Sequence, residues 1–160
     1  MQNGGVSLEK THAVDIGAAP GGWTRFLSAT QRYPTVTAVD PGELLPEVLE
    51  LPGVKHLRKP AQEAASEIQM AELLVCDVNR DPRDTAKEML LPLAEKLVPH
   101  APLIFTLKLP KRMPEHGVAK WGNDVEDILG VEFEHFKLVW LFGNTHNERT
   151  LICFKKQLTL

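Results

Sequence analysis

Apolar runs of strand length alternate with helix-patterned stretches along most of these 160 residues, and a chain so patterned has few ways to fold. Strands are expected at His12–Gly17, Thr35–Asp40, Val54–Leu57, Leu73–Asp77 and Leu103–Leu109. Helices are expected over about Gly21–Ala29, Leu44–Leu49, Ala61–Met70, Asp84–Leu97 and Val118–Leu129. In the fourth of these, Met89, Leu90, Leu93, Ala94 and Leu97 recur at the spacing of one helical face. Strand and helix in alternation predict an α/β fold built on a doubly wound, mostly parallel sheet. Two last strands, Phe136–Phe142 and Thr150–Phe154, flank "GNTHNE" with no helix between them. So short a connection permits only antiparallel pairing. The expectation is therefore a seven-stranded sheet with an antiparallel last strand. With no linker, repeat or low-complexity segment, residues 1–160 are read as a single domain.

Composition excludes several classes of function. Hydrophobic residues make up 43% and charged residues 24%, ordinary values for a globular protein. No apolar run approaches the roughly 20 residues that a membrane-spanning helix needs. The first dozen residues lack the basic-then-apolar order of a secretory signal, so a cytoplasmic protein with no membrane partner is expected. Cys76 and Cys153 both lie in apolar strands and read as buried free thiols. No Cys/His cluster has zinc-ligand spacing, so no metal is expected. A net charge of −3 argues against wholesale coating of nucleic acid but leaves room for a local basic groove.

In a doubly wound sheet, ligands bind beyond the carboxyl ends of the strands. Asp15, Asp40 and Asp77 fall at three such ends, and Lys108 near a fourth. The first strand runs into "GAAPGGW", residues 17–23, a turn with three glycines that opens a helix. It lacks the G-x-G-x-x-G spacing that seats a pyrophosphate, and Pro20 removes an amide donor from its middle. Such a turn suits a ligand not held mainly by phosphates. Asp40 is placed to accept hydrogen bonds from ribose hydroxyls. A cofactor with a ribose, no phosphate and a cationic, zwitterionic tail is S-adenosylmethionine. Its pocket is expected to comprise residues 17–23, Asp40 and Asp77.

The stretches "DIGAAPGGWT", "LLVCDVNRDP", "IFTLKLPKR" and "NERTLICF" resemble the FtsJ-type RNA 2′-O-ribose methyltransferases. Within that family they are most similar to members that act on large-subunit ribosomal RNA. The likeness runs from about Ala13 to Lys155. It implies a Rossmann-like methyltransferase fold with Asp15, Gly17, Ala18, Pro20, Gly21, Gly22, Trp23, Asp40 and Asp77 around S-adenosylmethionine. Relatives often carry an aspartate for the adenine amino group after the third strand. This chain has "RKPAQE" there, and Gln62 is the candidate replacement.

The resemblance further implies a lysine–aspartate–lysine–glutamate tetrad, of which Asp77, Lys108 and Glu148 supply three members. A ribose 2′-hydroxyl is a poor nucleophile until it loses its proton or its developing charge is stabilised, and a lysine can do either. Flanking carboxylates favour the charged lysine, so positioning and charge stabilisation are expected of Lys108. The first tetrad lysine belongs well upstream of the glycine turn, whereas only fourteen residues precede Asp15 and Lys10 stands too close to the first strand. A lost lysine, a substitute basic residue or an excised catalytic core are the three expectations. In the loop after the fifth strand, Lys111, Arg112 and Lys120 are candidates for RNA phosphates and Trp121 for stacking a base. Targeting is expected from a partner protein, a structured RNA or a domain outside these residues. Two alternatives stay open: a non-catalytic cofactor- or RNA-binding subunit, and a methyltransferase acting on a small-molecule hydroxyl.

Overall fold

The computed structural model describes residues 11–157. Lys10 lies outside the described residues. Seven strands form one sheet: β1 (His12–Ile16), β2 (Thr35–Val39), β3 (Val54–Leu57), β4 (Leu73–Cys76), β5 (Pro102–Lys108), β6 (Phe133–Val139) and β7 (Glu148–Lys155). Their spatial order is β3-β2-β1-β4-β5-β7-β6. Pairing is parallel among the first five, and β7 runs antiparallel to both β5 and β6. The order reverses between β1 and β4, the crevice where open α/β sheets take their ligands.

The helices are α1 (Gly22–Ala29), α2 (Pro46–Leu49), α3 (Ala61–Ala64), α4 (Pro82–Thr85), α5 (Leu91–Leu93) and α6 (Glu115–Leu129). Among the described residues no helix is long and apolar enough to cross a membrane. The central strands are buried on both faces, with Val14, Ile16, Leu74, Cys76, Leu103, Phe105 and Leu107 in the larger of two main core clusters. Ala13, Val36, Leu73 and Val75 form the smaller one against Leu27 of α1. This is why these strands read as continuous apolar runs. Cys76 and Cys153 are free and buried, and burial pushes the Cys153 thiol up to about 12.

Three local expectations need correction. The helix expected over Ala61–Met70 ends as one turn of α3 followed by a 3₁₀ turn, Ala65–Glu67. The helix expected over Asp84–Leu97 begins two residues earlier at Pro82, where the Asp81 carboxylate caps it by accepting from the Arg83 amide at 2.9 Å. Its middle widens into a π-helical segment, Ala86–Leu90. Pro92 lies just beyond, with no amide to donate and a ring that crowds the carbonyl four residues back. A widened turn relieves such crowding. Finally, β6 starts and ends three residues before the expected span, because a bulge between Glu134 and Lys137, with His135 at φ 58°, breaks its alternation.

Candidate active site

Strand register creates the central arrangement. Lys108 ends β5 and pairs directly with Glu148, the first residue of β7. Glu148 was expected in a loop, and β7 instead begins two residues before the expected Thr150. The Lys108 Nζ lies 2.6 Å from Asp77 Oδ1 and donates to Glu148 Oε1 at 2.7 Å. Asp77 follows β4 directly, and its amide donates to the Ile16 carbonyl at 3.0 Å. The Glu148 Oε2 accepts from the Thr145 amide at 2.9 Å. The three residues that the sequence resemblance groups together thus form one contiguous ion cluster, drawn from two parallel strand ends and one antiparallel strand start.

Partial burial on its own would lower the Lys108 pKa. The hydrogen bonds and charges of Asp77 and Glu148 outweigh it, and the net shift is upward. Burial opposes ionisation of Glu148 too, but Lys108 and the Thr145 amide hold its carboxyl below the usual value. Lys108 is therefore an ammonium at neutral pH. It offers three donors and no lone pair.

Beside this cluster is a pocket of about 350 Å³ lined by Gly17, Asp40, Pro41, Asp77, Asn79 and Met89, with Ile16, Ala19, Val39, Pro60, Ala61 and Val78 completing the wall. Its size falls in the range of small-molecule sites. Asp77 belongs to both the pocket and the ion cluster. Gly17 adopts φ 76°, and a Cβ there would sit 2.8 Å from the Asp77 carbonyl oxygen. Only glycine gives this turn both the left-handed conformation and the close approach. The Gly17 amide is tied to the Val39 carbonyl at 2.9 Å. Asp40 accepts from the Gly42 amide at 2.6 Å and the Ala19 amide at 3.1 Å, which locks the carboxylate in place with lone pairs to spare.

Several sequence candidates stand behind the pocket wall. Asp15 is wholly buried in β1, where its Oδ2 accepts from the Thr24 hydroxyl at 2.7 Å and its Oδ1 has no partner among the described residues. Ala18 and Gly21 are buried, and Gly21 packs on Val48 of α2 at φ 120°. Pro20 is exposed after a cis Ala19–Pro20 peptide. Gly22 and Trp23 face a separate shallow depression with Phe26. Gln62 is exposed and absent from the pocket lining; its neighbour Ala61 takes that place. Conversely, Asn79 and Met89 were missed. Asn79 follows a strand end, a position that sequence alone marks for attention. Met89 has the spacing of a core face and packs against the main core, and from the π-helical segment it also lines the pocket.

Asp15 supplies a pH prediction. Burial raises its pKa from 3.8 to about 6, against the lowering effect of Thr24 and with help from the charges of Asp77 and Asp40. The folded chain holds this proton more tightly than the unfolded one. Stability is thus expected to fall as pH rises from about 4 to about 6, with the full cost present above that. A shift of this size corresponds to about 3 kcal/mol. Asp15→Asn should flatten that slope in thermal melts taken across the window and raise the Tm above pH 6. An unchanged pH profile would contradict it.

The RNA candidates divide. Lys111 and Arg112 are exposed in the β5–α6 loop. Lys120 is exposed but pairs with Asp124 at 3.0 Å, one turn along α6. The stacking role expected of Trp121 meets an occupied ring: the Arg83 guanidinium sits 3.9 Å from its centroid, and the indole packs against the main core. Among the described residues no group of three or more His, Cys, Asp or Glu side chains is disposed to hold a metal ion.

The model of the FtsJ-like methyltransferase family matches residues 2–101. The ribosomal RNA large subunit methyltransferase M of Halorhodospira halophila is 46% identical over 103 residues, covering 64% of this chain and 29% of that protein. The protein of the same name from Marinobacter nauticus is 40% identical over 100 residues, covering 62% of this chain and 26% of its own. The matched region thus spans less than a third of either relative. Among solved structures, Methanococcus jannaschii fibrillarin, a pre-rRNA processing protein, superposes with a TM-score of 0.71 at 13% identity, over 92% of this chain and 67% of that one. The N-methyltransferase NodS of Bradyrhizobium japonicum, solved with S-adenosyl-L-homocysteine, gives 0.64 at 15% identity over 91% and 78%. At such identities the structural likeness speaks for the fold alone.

Proposed function

The chain belongs to the FtsJ-like methyltransferase family, and on that premise we propose that it transfers a methyl group from S-adenosylmethionine to a ribose 2′-hydroxyl of ribosomal RNA. One observation carries the reading: Lys108 Nζ is held between Asp77 Oδ1 and Glu148 Oε1 at 2.6 and 2.7 Å, and Asp77 also lines the pocket.

The residues present suit such a cofactor. The unpartnered Asp15 Oδ1 lies buried behind the glycine turn, and Asp15, Asp40 and Asp77 are close enough for their charges to add. An acidic setting of this kind favours a ligand bearing positive charge over one held by phosphates. Asp40 would take the ribose hydroxyls, Asp77 and the Gly17 turn would flank the methionine end, and Val39, Pro41 and Met89 offer a surface for the adenine. When bound, the sulfonium supplies an electrophilic methyl group.

Lys108 then works as a fixed ammonium. Asp77 and Glu148 engage two of its three donors; the third orients the 2′-oxygen and stabilises the negative charge that builds on it during attack, the type of electrostatic help that usually contributes most to a rate. Asp77 and Glu148 keep it charged and aimed. An ammonium has no lone pair, so Lys108 would not receive the hydroxyl proton, which would be released to solvent when the oxygen takes up the methyl group.

The test is incubation of the chain with methyl-labelled cofactor and protein-free ribosomal RNA. Label entering RNA as a nucleotide whose 3′ linkage resists alkaline cleavage is the expected result. Label reaching only small hydroxyl compounds, or no transfer at all, would defeat the reading. The exposed cations of the β5–α6 loop add a separate expectation. Lys111→Gln with Arg112→Gln should weaken RNA binding and reduce its salt slope by about 1.4, the share of two phosphate contacts to a single strand. Cofactor affinity should not change. A salt slope equal to that of the unaltered chain would exclude these two residues from the interface.

A further inference from the structure

The loop between β6 and β7 carries an aromatic surface that the proposed chemistry does not use. Trp140 is 57% exposed, and Phe142 at the loop tip is fully exposed. Isolated apolar side chains at a surface are common, but Trp140 is held in place by its surroundings. The Arg149 guanidinium lies over its ring, 4.4 Å from the centroid. Arg149 is itself 7% exposed and donates to the carbonyls of Glu148 at 2.8 Å and His146 at 3.3 Å. The His146 ring meets the indole edge-on at 6.2 Å. Asn144 braces the loop, its Oδ1 accepting from the Leu141 amide at 2.8 Å and the Thr150 hydroxyl at 3.1 Å.

The loop that carries this ring runs into the strand start that supplies Glu148. The Leu109 amide, one residue past Lys108, donates to the carbonyl of Asn147, one residue before Glu148, at 2.9 Å. Leu109, Pro110 and Asn147 share a small cavity with Trp140. The exposed Lys111 and Arg112 follow Pro110 directly. A fixed aromatic ring with cations on the neighbouring loop matches single-stranded nucleic acid, which presents base faces and phosphates together.

We propose that Trp140 is the platform on which an unpaired base of the RNA substrate stacks, beside the nucleotide whose ribose is methylated. The proposal rests on the ribose-methyltransferase reading above. Arg149 acts on this base through Trp140, by fixing the ring. Glu148 is anchored by the same loop, so substrate contact and the ion cluster share one support.

The experiment compares the unaltered chain with Trp140→Ala and Trp140→Phe. Affinity is measured by fluorescence anisotropy with a random-sequence single-stranded RNA 12-mer and its duplex, and KM with protein-free ribosomal RNA. Trp140→Ala should weaken single-strand binding about 5- to 100-fold, the effect of losing one stacked base. KM should rise in step, with kcat and cofactor affinity nearly unchanged. Trp140→Phe should recover most of the loss, and the duplex should show little response. Methylation by the unaltered chain with the same KM in Trp140→Ala would overturn this inference alone. So would an equal loss on single strand and duplex, or equal single-strand and duplex affinity in the unaltered chain if Trp140→Ala does not fold. Failure of the unaltered chain to bind or methylate RNA would overturn the ribose-methyltransferase reading together with it.

Discussion

Lys108→Ala is expected to reduce methyl transfer by about 10²–10³-fold or more, the usual cost of removing a group aimed at developing charge, while cofactor affinity stays within a few-fold. The expectation rests on position. The Lys108 Nζ contacts Asp77 and Glu148 and is not part of the pocket lining. Removing it also leaves two partly buried carboxylates without their shared cation, a change that costs stability. Thermal melts must therefore accompany the rate measurement, and a loss of rate counts only at temperatures where the variant is folded. Lys108→Arg retains the charge, but its planar fork differs from a compact ammonium in shape and reach, so it should restore stability better than rate. A double-digit percentage of the original activity in folded Lys108→Ala would remove Lys108 from the chemistry.

Gly17→Val should weaken binding of the demethylated cofactor, S-adenosylhomocysteine, by about 100-fold. Two costs combine. A β-branched residue at φ 76° is a strained rarity. The new Cβ would also press on the Asp77 carbonyl oxygen at 2.8 Å and on Val78 Cγ2 at 2.9 Å. Relief requires the turn to move away from the strand end that carries Asp77, and so deforms the pocket at its centre. Together these terms come to about 3 kcal/mol, and where the free chain relieves them by moving the turn, restoring the pocket on binding costs up to that amount, or two powers of ten in affinity. Because Asp77 would shift relative to Lys108, methyl transfer should fall further than cofactor occupancy accounts for. Asp40→Ala is the companion variant: it withdraws the acceptor for the Ala19 and Gly42 amides as well as the expected ribose contact. Calorimetric titration checks both, and affinity within threefold of the unaltered chain in either would contradict the assigned pocket.

Much of this could be read without coordinates. Strand–helix alternation is a one-dimensional signal, and all seven strands exist where apolar runs were found, with β3 at its expected residues and the others shifted at one or both ends. Asp40, Asp77 and Lys108 were legible because strand ends are recognisable and open sheets present them along one edge. The glycine turn was legible because φ 76° with a carbonyl oxygen 2.8 Å from where a Cβ would sit demands glycine. Glu148 and Met89 were not legible from local pattern. Glu148 stands in a polar stretch that reads as loop, and it becomes a partner of Lys108 only through long-range antiparallel register. Met89 sits at core spacing and does pack against the main core, and its second role in the pocket wall has no local signature.

Local patterning was enough for the α/β class, the antiparallel closing pair and the acidic carboxyl edge, because backbone periodicity and turn chemistry act over a few residues at a time. Which side chains remain available depended on long-range packing. It put β7 between β5 and β6 and thereby set Glu148 beside Lys108. It sank Asp15 in the core, where desolvation rather than ligand contact governs its proton. It covered Trp121 with Arg83 and left Trp140 open on a ring fixed by Arg149. Burial and pairing across dozens of residues depend on packing in three dimensions, and no local stretch of sequence records them.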